Sequence, residues 1–425
     1  MAKNLSPFNR YMKTIITVIP EPIERSSRAL KQSASLTRFE YRSIVIEGER
    51  SNNFDSNLLF ELESPALQNP VTTKHHGTIF NLWESIIRRI KKFKRPDLPI
   101  FSALAPLFWY FDHSWRNYIL PTLRIGVKHP ARLYYLHGFE YFPAVYILCL
   151  IQRARYIYDA HDYYADLVRK TIKSPLWMNY YLWLERLCVK NAAACVTVNN
   201  SLANLLREEF GRDFIVIRNC HDVRLDTSVV QDIRKTLNLS SDDFIMVCVG
   251  HNKDFLAIEQ TIQSMVMLPT NVHLAFVGNN YESHREMTRQ LDLADRVHYI
   301  DAVKATEVVP FIRTADLSLI LYYPSSSFVD ISLPNKFFQS IAAGLPLLYP
   351  DLMEIKTISE QYQLGIQVDP LSSQSISDAV ISLYSNRSKM MELKRNLQKA
   401  SEEINWEKEE ILLKKIVDNI LISQS

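Results

Sequence analysis

Glycine is scarce in this chain, with nine residues in 425. Neither a Gly-x-Gly-x-x-Gly fingerprint nor a P-loop occurs, which excludes the nucleotide enzymes that cradle phosphate in a glycine-rich loop. Cysteine is sparse too. Cys149, Cys188, Cys195, Cys220 and Cys248 are odd in number and form no Cys-x-x-Cys pair, so neither a zinc knuckle nor a dithiol couple is indicated. Flanking Val, Ile, Leu and Ala predict reduced thiols in a core, and a reducing compartment. The longest apolar run, AVYILCLI (144–151), is far short of the ~20 residues a spanning helix needs, and the first twenty residues carry no signal-peptide h-region or cleavage site. A cytoplasmic chain is therefore expected. The net charge of +3 does not mark a nucleic-acid binder, and no nucleic-acid partner is expected.

What is present points to an ordinary globular composition, with 47% hydrophobic and 22% charged residues. The length exceeds one hydrophobic core and suits two domains of roughly 200 residues each. Strand-like and helix-like segments alternate in two series. The first holds TIITVIP (14–20), a helix SSRALKQSASLTR with a serine cap, YRSIVIEG (41–48), ARLYYLHG, a helix through Leu148, RYIYDAHD, a long helix WMNYYLWLERLCVKNA, ACVTVNN, the helix LANLLREEF and FIVIRNC. A polar segment, His221 to Asp243, marks a domain boundary. The second series has six strands: FIMVCVG (244–250), VHLAFVGNN (272–280), RVHYIDAV (296–303), DLSLILYYP (316–324), LPLLYPD (345–351) and LGIQVDP (364–370). From about Ser375 onward the pattern is helical throughout, with Trp406 opening the last segment. Such alternation predicts parallel sheets covered on both faces.

Ligands of open α/β sheets bind beyond the carboxyl ends of the strands. After DLSLILYYP come a loop, SSSFVDIS, and a helix, LPNKFFQSIAAG. Pro334 suits the first helical position, which makes Leu333 the cap and leaves the amides of Asn335, Lys336 and Phe337 open to an anion. Asn335, Lys336 and Gln339 are spaced to gather on one edge, a surface for a phosphate with an attached ribose. The same residues also suit a solvated face of a core helix, and both readings stand at this point. His137 and His161 each lie at a strand end, where an imidazole orients a hydroxyl or steadies a leaving phosphate, or is a satisfied structural group.

The segment SLPNKFFQSIAAGLPLLYP resembles the signature of retaining glycosyltransferases of the GT-B fold, the large fourth family, in which a Pro-x-Lys-x-x-Glu helix ends in Ala-x-Gly-x-Pro before a strand. RYIYDAHDYYADL, ACVTVNNSLANLL, VIRNCHD and INWEKEE resemble further family segments in the same order, over a span from about Met12 to the C-terminus that is weakest between Ser51 and Pro130. The resemblance implies two Rossmann-like doubly wound domains. Residues 1–221 would face the acceptor, 222–405 would bind a nucleotide-sugar, and a helix over 406–425 would pack back on the first domain. It implies transfer of a hexose-like sugar, with retention, from a UDP, GDP or dTDP sugar to a glycan or lipid-linked acceptor of the bacterial polysaccharide or glycolipid type. No cofactor is implied, and with no Asp-x-Asp in place, no metal.

Carried over residue by residue, the resemblance implies donor binding by Gly250, Lys253, Ser332, Leu333, Pro334, Asn335, Lys336 and Gln339. His161, Asp162 and Lys336 take catalytic roles, and His137 and Asn200 lie on the acceptor side. This chain departs from the family in placing Ile331 and Gln339 where two glutamates stand, IPEPIER where a glycine-rich loop follows the first strand, and Gly250-His251-Asn252-Lys253 where an Arg and a Lys meet the diphosphate. Two other classes therefore remain open, a nucleotide-sugar epimerase of GT-B architecture and a non-catalytic nucleotide-sugar binder.

One motif lies apart from these. IFNLWESIIRRIKKFKR (79–95) interleaves Ile79, Trp83, Ile86, Ile87, Ile90 and Phe93 with Arg88, Arg89, Lys91, Lys92, Lys94 and Arg95. It reads as a basic amphipathic helix for an anionic membrane surface, the inner face in a cytoplasmic setting, or equally as a packed helix with a solvated basic face.

Overall fold

The computed structural model describes residues 13–48, 59–64, 115–325 and 327–423. Thirteen strands among them make two sheets. β1 (Thr14–Ile19), β2 (Arg42–Glu47), β3 (Glu61–Glu63), β4 (Leu133–His137), β5 (Arg155–Ala160), β6 (Ala194–Thr197) and β7 (Ile215–Val216) lie in the order β3-β2-β1-β4-β5-β6-β7. β8 (Phe244–Val249), β9 (Val272–Val277), β10 (Val297–Ile300), β11 (Leu317–Leu319), β12 (Leu347–Tyr349) and β13 (Gly365–Gln367) lie in the order β10-β9-β8-β11-β12-β13. Parallel pairing joins β1 to β2 and β4, and β8 to β9 and β11. Both sheets are thus doubly wound, as the alternation predicts, and in each the strand order reverses at one point: between β1 and β4, and between β8 and β11.

Continuous runs such as TIITVI and VHLAFV are buried along their whole length, which requires helices on both faces. In the second sheet one face packs Met246, Leu274, Phe276, Phe337 and Ile341, and the other packs Ile245, Val247, Ala275, Ile312 and Ala343. All five cysteines are free and buried, as their apolar flanks predict; burial pushes the Cys149 thiol up to about 12.

Contacts divide the chain into two units, one running to Val196 and taking in residues from Asp418 onward, the other running from Thr197 to Val417. The final helix, Trp406–Ile422, contributes to both: in the first unit Tyr41 donates from its hydroxyl to Asp418, and Arg155 Nη1 to Ser423 Oγ at 2.8 Å. In the second unit the polar segment around 221–243 is pinned rather than loose, because Arg224 forks onto Glu410 at 2.7 and 2.8 Å and Arg218 Nε donates to Glu409 at 2.6 Å.

Several local expectations are corrected. Ser26 sits at the cap of helix Ser27–Arg38, but its side chain makes no capping bond. β3 is a strand that the sequence does not announce: Glu-Leu-Glu lacks a β-branched run and forms an edge with one exposed and two half-buried residues. The C-terminal stretch is three helices, Ser373–Tyr384, Arg387–Glu403 and Trp406–Ile422, the second restarted by the Asn386 side chain accepting from the Lys389 amide at 3.0 Å. Residues 79–95 lie outside the described residues. Among the described residues, no helix is long and apolar enough to cross a membrane.

Candidate active-site residues

The reversal between β8 and β11 places two loops side by side in the second unit. β8 is followed by Gly250, whose φ of +110° suits glycine. Its amide donates to Val277 O at 2.9 Å and its carbonyl accepts from Tyr281 Oη at 2.7 Å. Asn252 follows, donating from its amide to Asn279 O and from Nδ2 to Asn280 O, each at 3.0 Å. The loop after β8 is thereby stitched to the loop after β9. Gly278 is required at this seam, since a Cβ there would lie 2.0 Å from the Gly250 carbonyl oxygen.

Helix Asn335–Ala343 supplies the cation. Pro334 is its cap rather than its first residue, one position later than expected, and the Phe337 amide is already bonded to Pro334 O at 3.0 Å. The first-turn amides of Asn335 and Lys336 have no intrahelical acceptor. Lys336 is 7% exposed, and its ammonium sits 5.0 Å from the centroid of the Tyr322 ring. A Cβ on Gly250 would lie 3.5 Å from Lys336 Cε and 3.6 Å from Nζ, so the side chain reaches directly over that glycine. Tyr322 packs edge-on to Phe255 at 5.3 Å, and Lys253 Nζ lies 5.5 Å from the Phe255 centroid. Two cations therefore flank one aromatic pair. Neither has a carboxylate within ion-pair distance among the described residues.

The three polar residues expected on one edge of this helix do not gather. Lys336 turns inward along the apolar face, as a long stem with a charged tip does. Asn335 is exposed and accepts from Asn219 Nδ2, and Gln339 is half-buried with no side-chain hydrogen bond among the described residues. Leu333 is buried in the core and Ser332 Oγ is buried without a partner among the described residues, so only the backbone of Leu333 is available to a ligand. Asn200 is exposed in the first turn of helix Asn200–Phe210; the buried asparagine is Asn199, which caps the helix by accepting from Leu202 N at 2.8 Å and donates to Ile331 O at 2.9 Å. Asn199 is thus the residue that ties this segment to the approach of helix Asn335–Ala343.

In the first unit, His137 ends β4 and His161 follows β5. Sequence reasoning pairs His161 with Asp162, but the carboxylate set against both imidazoles is Asp159. It is fully buried, its Oδ1 lies 3.5 Å from His161 Nε2, and its Oδ2 lies 4.0 Å from His137 Nδ1. Oδ2 accepts from Arg28 Nε and Gln32 Nε2, both at 2.8 Å, and from Tyr135 Oη at 3.0 Å. Burial alone would raise this carboxyl; Arg28, then His161 and His137, outweigh it and hold Asp159 well below the usual carboxylate range. His137 is pushed well below its ordinary value by burial and by the neighbouring His161. The two rings meet at 2.7 Å, His137 Nδ1 to His161 Nε2. The signal for Asp159 in the sequence is a lone carboxylate in Arg-Tyr-Ile-Tyr-Asp-Ala, a strand buried throughout after its first residue.

His137, Asp159 and His161 have one ligand atom each within 4.8 Å of one another, close enough to gather a cation. The chemistry of the set is against it. Two imidazole nitrogens on one tetrahedral zinc stand about 3.3 Å apart given ordinary Zn–N lengths, and the carboxylate already neutralises a buried guanidinium.

After β1 the chain turns through Pro20 to Arg25, and the Ile23 amide donates to Glu47 at 3.1 Å. A proline-bracketed turn held by a carboxylate stands where a glycine-rich loop would be.

These two doubly wound sheets define the GT-B class of α/β architecture. Residues 229–403 match the family model for glycosyl transferases group 1. A comparison with curated protein sequences finds no match. Among solved structures, the chain is similar to sucrose-phosphate synthase from Thermosynechococcus elongatus, with a TM-score of 0.66 and 15% identity, covering 97% of this chain and 100% of that one. It is similar to HepE from Anabaena in complex with UDP and glucose, with a TM-score of 0.67 and 13% identity, covering 96% and 100%. It is also similar to WaaG, a glycosyltransferase involved in lipopolysaccharide biosynthesis, with a TM-score of 0.58 and 13% identity, covering 92% and 96%.

Proposed function

We propose that the protein is a glycosyltransferase of the fourth-family type, moving a sugar from a nucleoside diphosphate sugar to a glycan or lipid-linked acceptor with retention of anomeric configuration. The observation that carries this reading is Lys336, a buried ammonium with no carboxylate partner among the described residues, aimed over Gly250 beside the open amides of its own helix. A diphosphate supplies the missing negative charge. Lys336, Lys253 and those amides would then stabilise the charge that grows on the leaving phosphate, without calling on a metal. Gln339, one turn on with its amide unengaged, would meet the ribose; Gly250, Ser332, Pro334 and Asn335 would line the donor through backbone and polar atoms. In the first unit, His161 would orient an acceptor hydroxyl, with Asp162 beside it and His137 behind; Asn200, which opens helix Asn200–Phe210 of the second unit, would offer a further exposed amide on the acceptor side. Residues 222–405 would form the donor domain, residues 1–221 the acceptor domain, and residues 406–425 the closing helix. A membrane-surface setting through Arg88, Arg89, Lys91 and Lys92 would bring the enzyme to lipid-linked acceptors.

Gln339, in place of a charged ribose ligand, specifically favours a second reading, a nucleotide-sugar binder without catalysis. Calorimetric titration with UDP, GDP, dTDP and ADP and their sugars, followed by an assay for anomer-resolved transfer, separates the two. UDP is the first to try, since HepE, with a similar fold, is complexed with it. Tight binding with no turnover in any acceptor mixture would leave the binder; conversion of free donor without an acceptor would leave an epimerase; no binding of any nucleotide would defeat all three.

A further inference from the structure

The histidine pair in the first unit contains one ambiguity with chemical consequences. At 2.7 Å, His137 Nδ1 and His161 Nε2 share a single proton, and whichever ring carries it decides what the other nitrogen of His161 presents outward. His161 is 25% exposed at its side chain, while His137 is 2% exposed. The outer nitrogen of His161, Nδ1, has no hydrogen-bond partner among the described residues, and it is not one of the buried unpartnered atoms, so it meets solvent.

We propose that Asp159 is a positioning residue that fixes His161 as the Nε2–H tautomer, with His137 as its neutral acceptor, so that His161 presents the Nδ1 lone pair to an incoming hydroxyl. Three observations carry this. Asp159 Oδ1 is buried without a hydrogen-bond partner and lies 3.5 Å from His161 Nε2, so its negative charge favours an N–H at that nitrogen, which donates to His137 Nδ1. The same carboxylate is farther from His137, at 4.0 Å through an oxygen already accepting from Arg28, Gln32 and Tyr135. The attraction of a buried carboxylate for an N–H grows as the distance falls, so the nearer ring holds the proton. The arrangement leaves His137 Nε2 protonated and unpartnered in the interior, consistent with its place among the unsatisfied buried atoms.

The groups that face the pair come from three elements. Helix Ser27–Arg38 supplies Arg28 and Gln32 one turn apart, β4 supplies Tyr135 and His137, and β5 supplies Asp159. Arg28 keeps Asp159 ionised and Gln32 and Tyr135 fix its orientation, so the second oxygen cannot rotate away from His161. The logic is that of a base whose tautomer is set by a third group.

The functional half rests on the glycosyl-transfer reading; the tautomer does not. Long-range proton–nitrogen NMR of the full chain labelled at histidine, with His161 assigned through His161→Gln, reads it directly. The expected spectrum shows His161 protonated at Nε2 and bare at Nδ1, and His137 likewise. A His161 signal protonated at Nδ1 in the parent would overturn the proposal, as would stoichiometric zinc binding that perturbs both rings. Asp159→Asn, if folded, should shift His161 toward the Nδ1–H form and lower kcat about 100-fold or more with the donor KM changed less than about threefold. His137→Phe keeps Asp159 and Arg28 intact and guards against a misfolded Asp159 variant: it should retain the Nε2–H form and lose less than about tenfold in kcat. Reversion of His161 to the other tautomer in His137→Phe would assign the control to His137 and refute the role of Asp159. If no acceptor supports turnover at all, the transferase reading fails while the NMR result stands.

Discussion

Replacing Lys336 tests the donor site most directly. The ammonium sits over the Tyr322 ring at 5.0 Å and close above Gly250, with no carboxylate among the described residues to neutralise it. A hydrogen bond from such a group to phosphate contributes roughly 1.5 to 3 kcal/mol, which corresponds to about 10- to 150-fold in affinity. Removing the charge also loses the contact with Tyr322, on the order of 0.5 to 2 kcal/mol of fold stability, partly offset because a desolvated cation no longer has to be buried. Lys336→Met keeps the stem and its packing, so it isolates the charge. By calorimetry, Lys336→Met should weaken a nucleoside diphosphate by about 10- to 150-fold while leaving the nucleoside within about threefold, and urea unfolding should move by less than about 2 kcal/mol. The salt dependence of diphosphate binding should flatten in the variant. Equal diphosphate affinity in parent and variant, both folded, would refute the reasoning and place the phosphate elsewhere.

Further outcomes follow from the same geometry. Gln339→Ala should reduce affinity for the nucleoside by roughly 0.5 to 1.5 kcal/mol, and Gln339→Glu should bind at least as well as the parent, since a carboxylate accepts from both ribose hydroxyls; a weaker Gln339→Glu would remove ribose contact at this position. Gly250→Ala forces a side chain into φ +110°, with its Cβ in ordinary contact with Lys336; it should cost about 1 to 3 kcal/mol of stability and, by shifting the loop, weaken diphosphate binding, and a fully stable, tightly binding variant would count against the loop geometry. His137 stays neutral in the fold because burial and His161 hold it well below its ordinary value, whereas the unfolded chain takes up a proton there below about pH 6.5. This residue's share of stability is therefore complete above that pH and is lost as pH falls, by up to about 1.4 kcal/mol per unit; urea curves for His137→Phe should lose that slope, and parallel pH profiles would contradict it. For residues 79–95, charge reversal at Arg88, Arg89, Lys91 and Lys92 should abolish salt-sensitive sedimentation with anionic liposomes, and unchanged sedimentation would make the segment merely structural.

The architecture is legible because both sheets are built from strands with strong local signatures. TIITVI, LYYLH, FIMVCV and VHLAFV are apolar runs of strand length between helices, and burial on two faces is what such runs require. β3 escapes a sequence reading for the same physical reason: an edge strand with one covered side needs no apolar run, and Glu61 is instead held by Arg42, through two contacts of 2.7 and 2.8 Å. The start of helix Asn335–Ala343 differs by one residue from the expectation because proline is compatible with both the cap and the first helical position, and only backbone angles separate them. The sequence also places Lys336 and Gln339 on a helix correctly, yet says nothing of where the lysine stem goes. That direction is decided by Tyr322 and Gly250, which follow two other strands.

Asp159 shows where sequence reasoning stops and why. A carboxylate inside a fully buried strand must be paired, so its presence in Tyr-Asp-Ala predicts a cation, but Lys and Arg together number 49 in the chain and nothing local selects among them. The partner lies 131 positions earlier. Helical spacing narrows the choice, since Arg28 and Gln32 are four apart and project from one face of their helix, and polar groups repeated on a buried face are as informative as apolar ones. The doubly wound order supplies the rest: the reversal puts β4 and then β5 beside β1, so Arg28 and Gln32, on the helix that joins β1 to β2, reach Tyr135 on β4 and Asp159 on β5. A sequence reading that first settled the strand order and then asked which buried polar side chains must meet would therefore reach Arg28, Gln32, Tyr135 and Asp159 together. It would also take Asp159, rather than the neighbouring and better-matched Asp162, as the acid that governs His161.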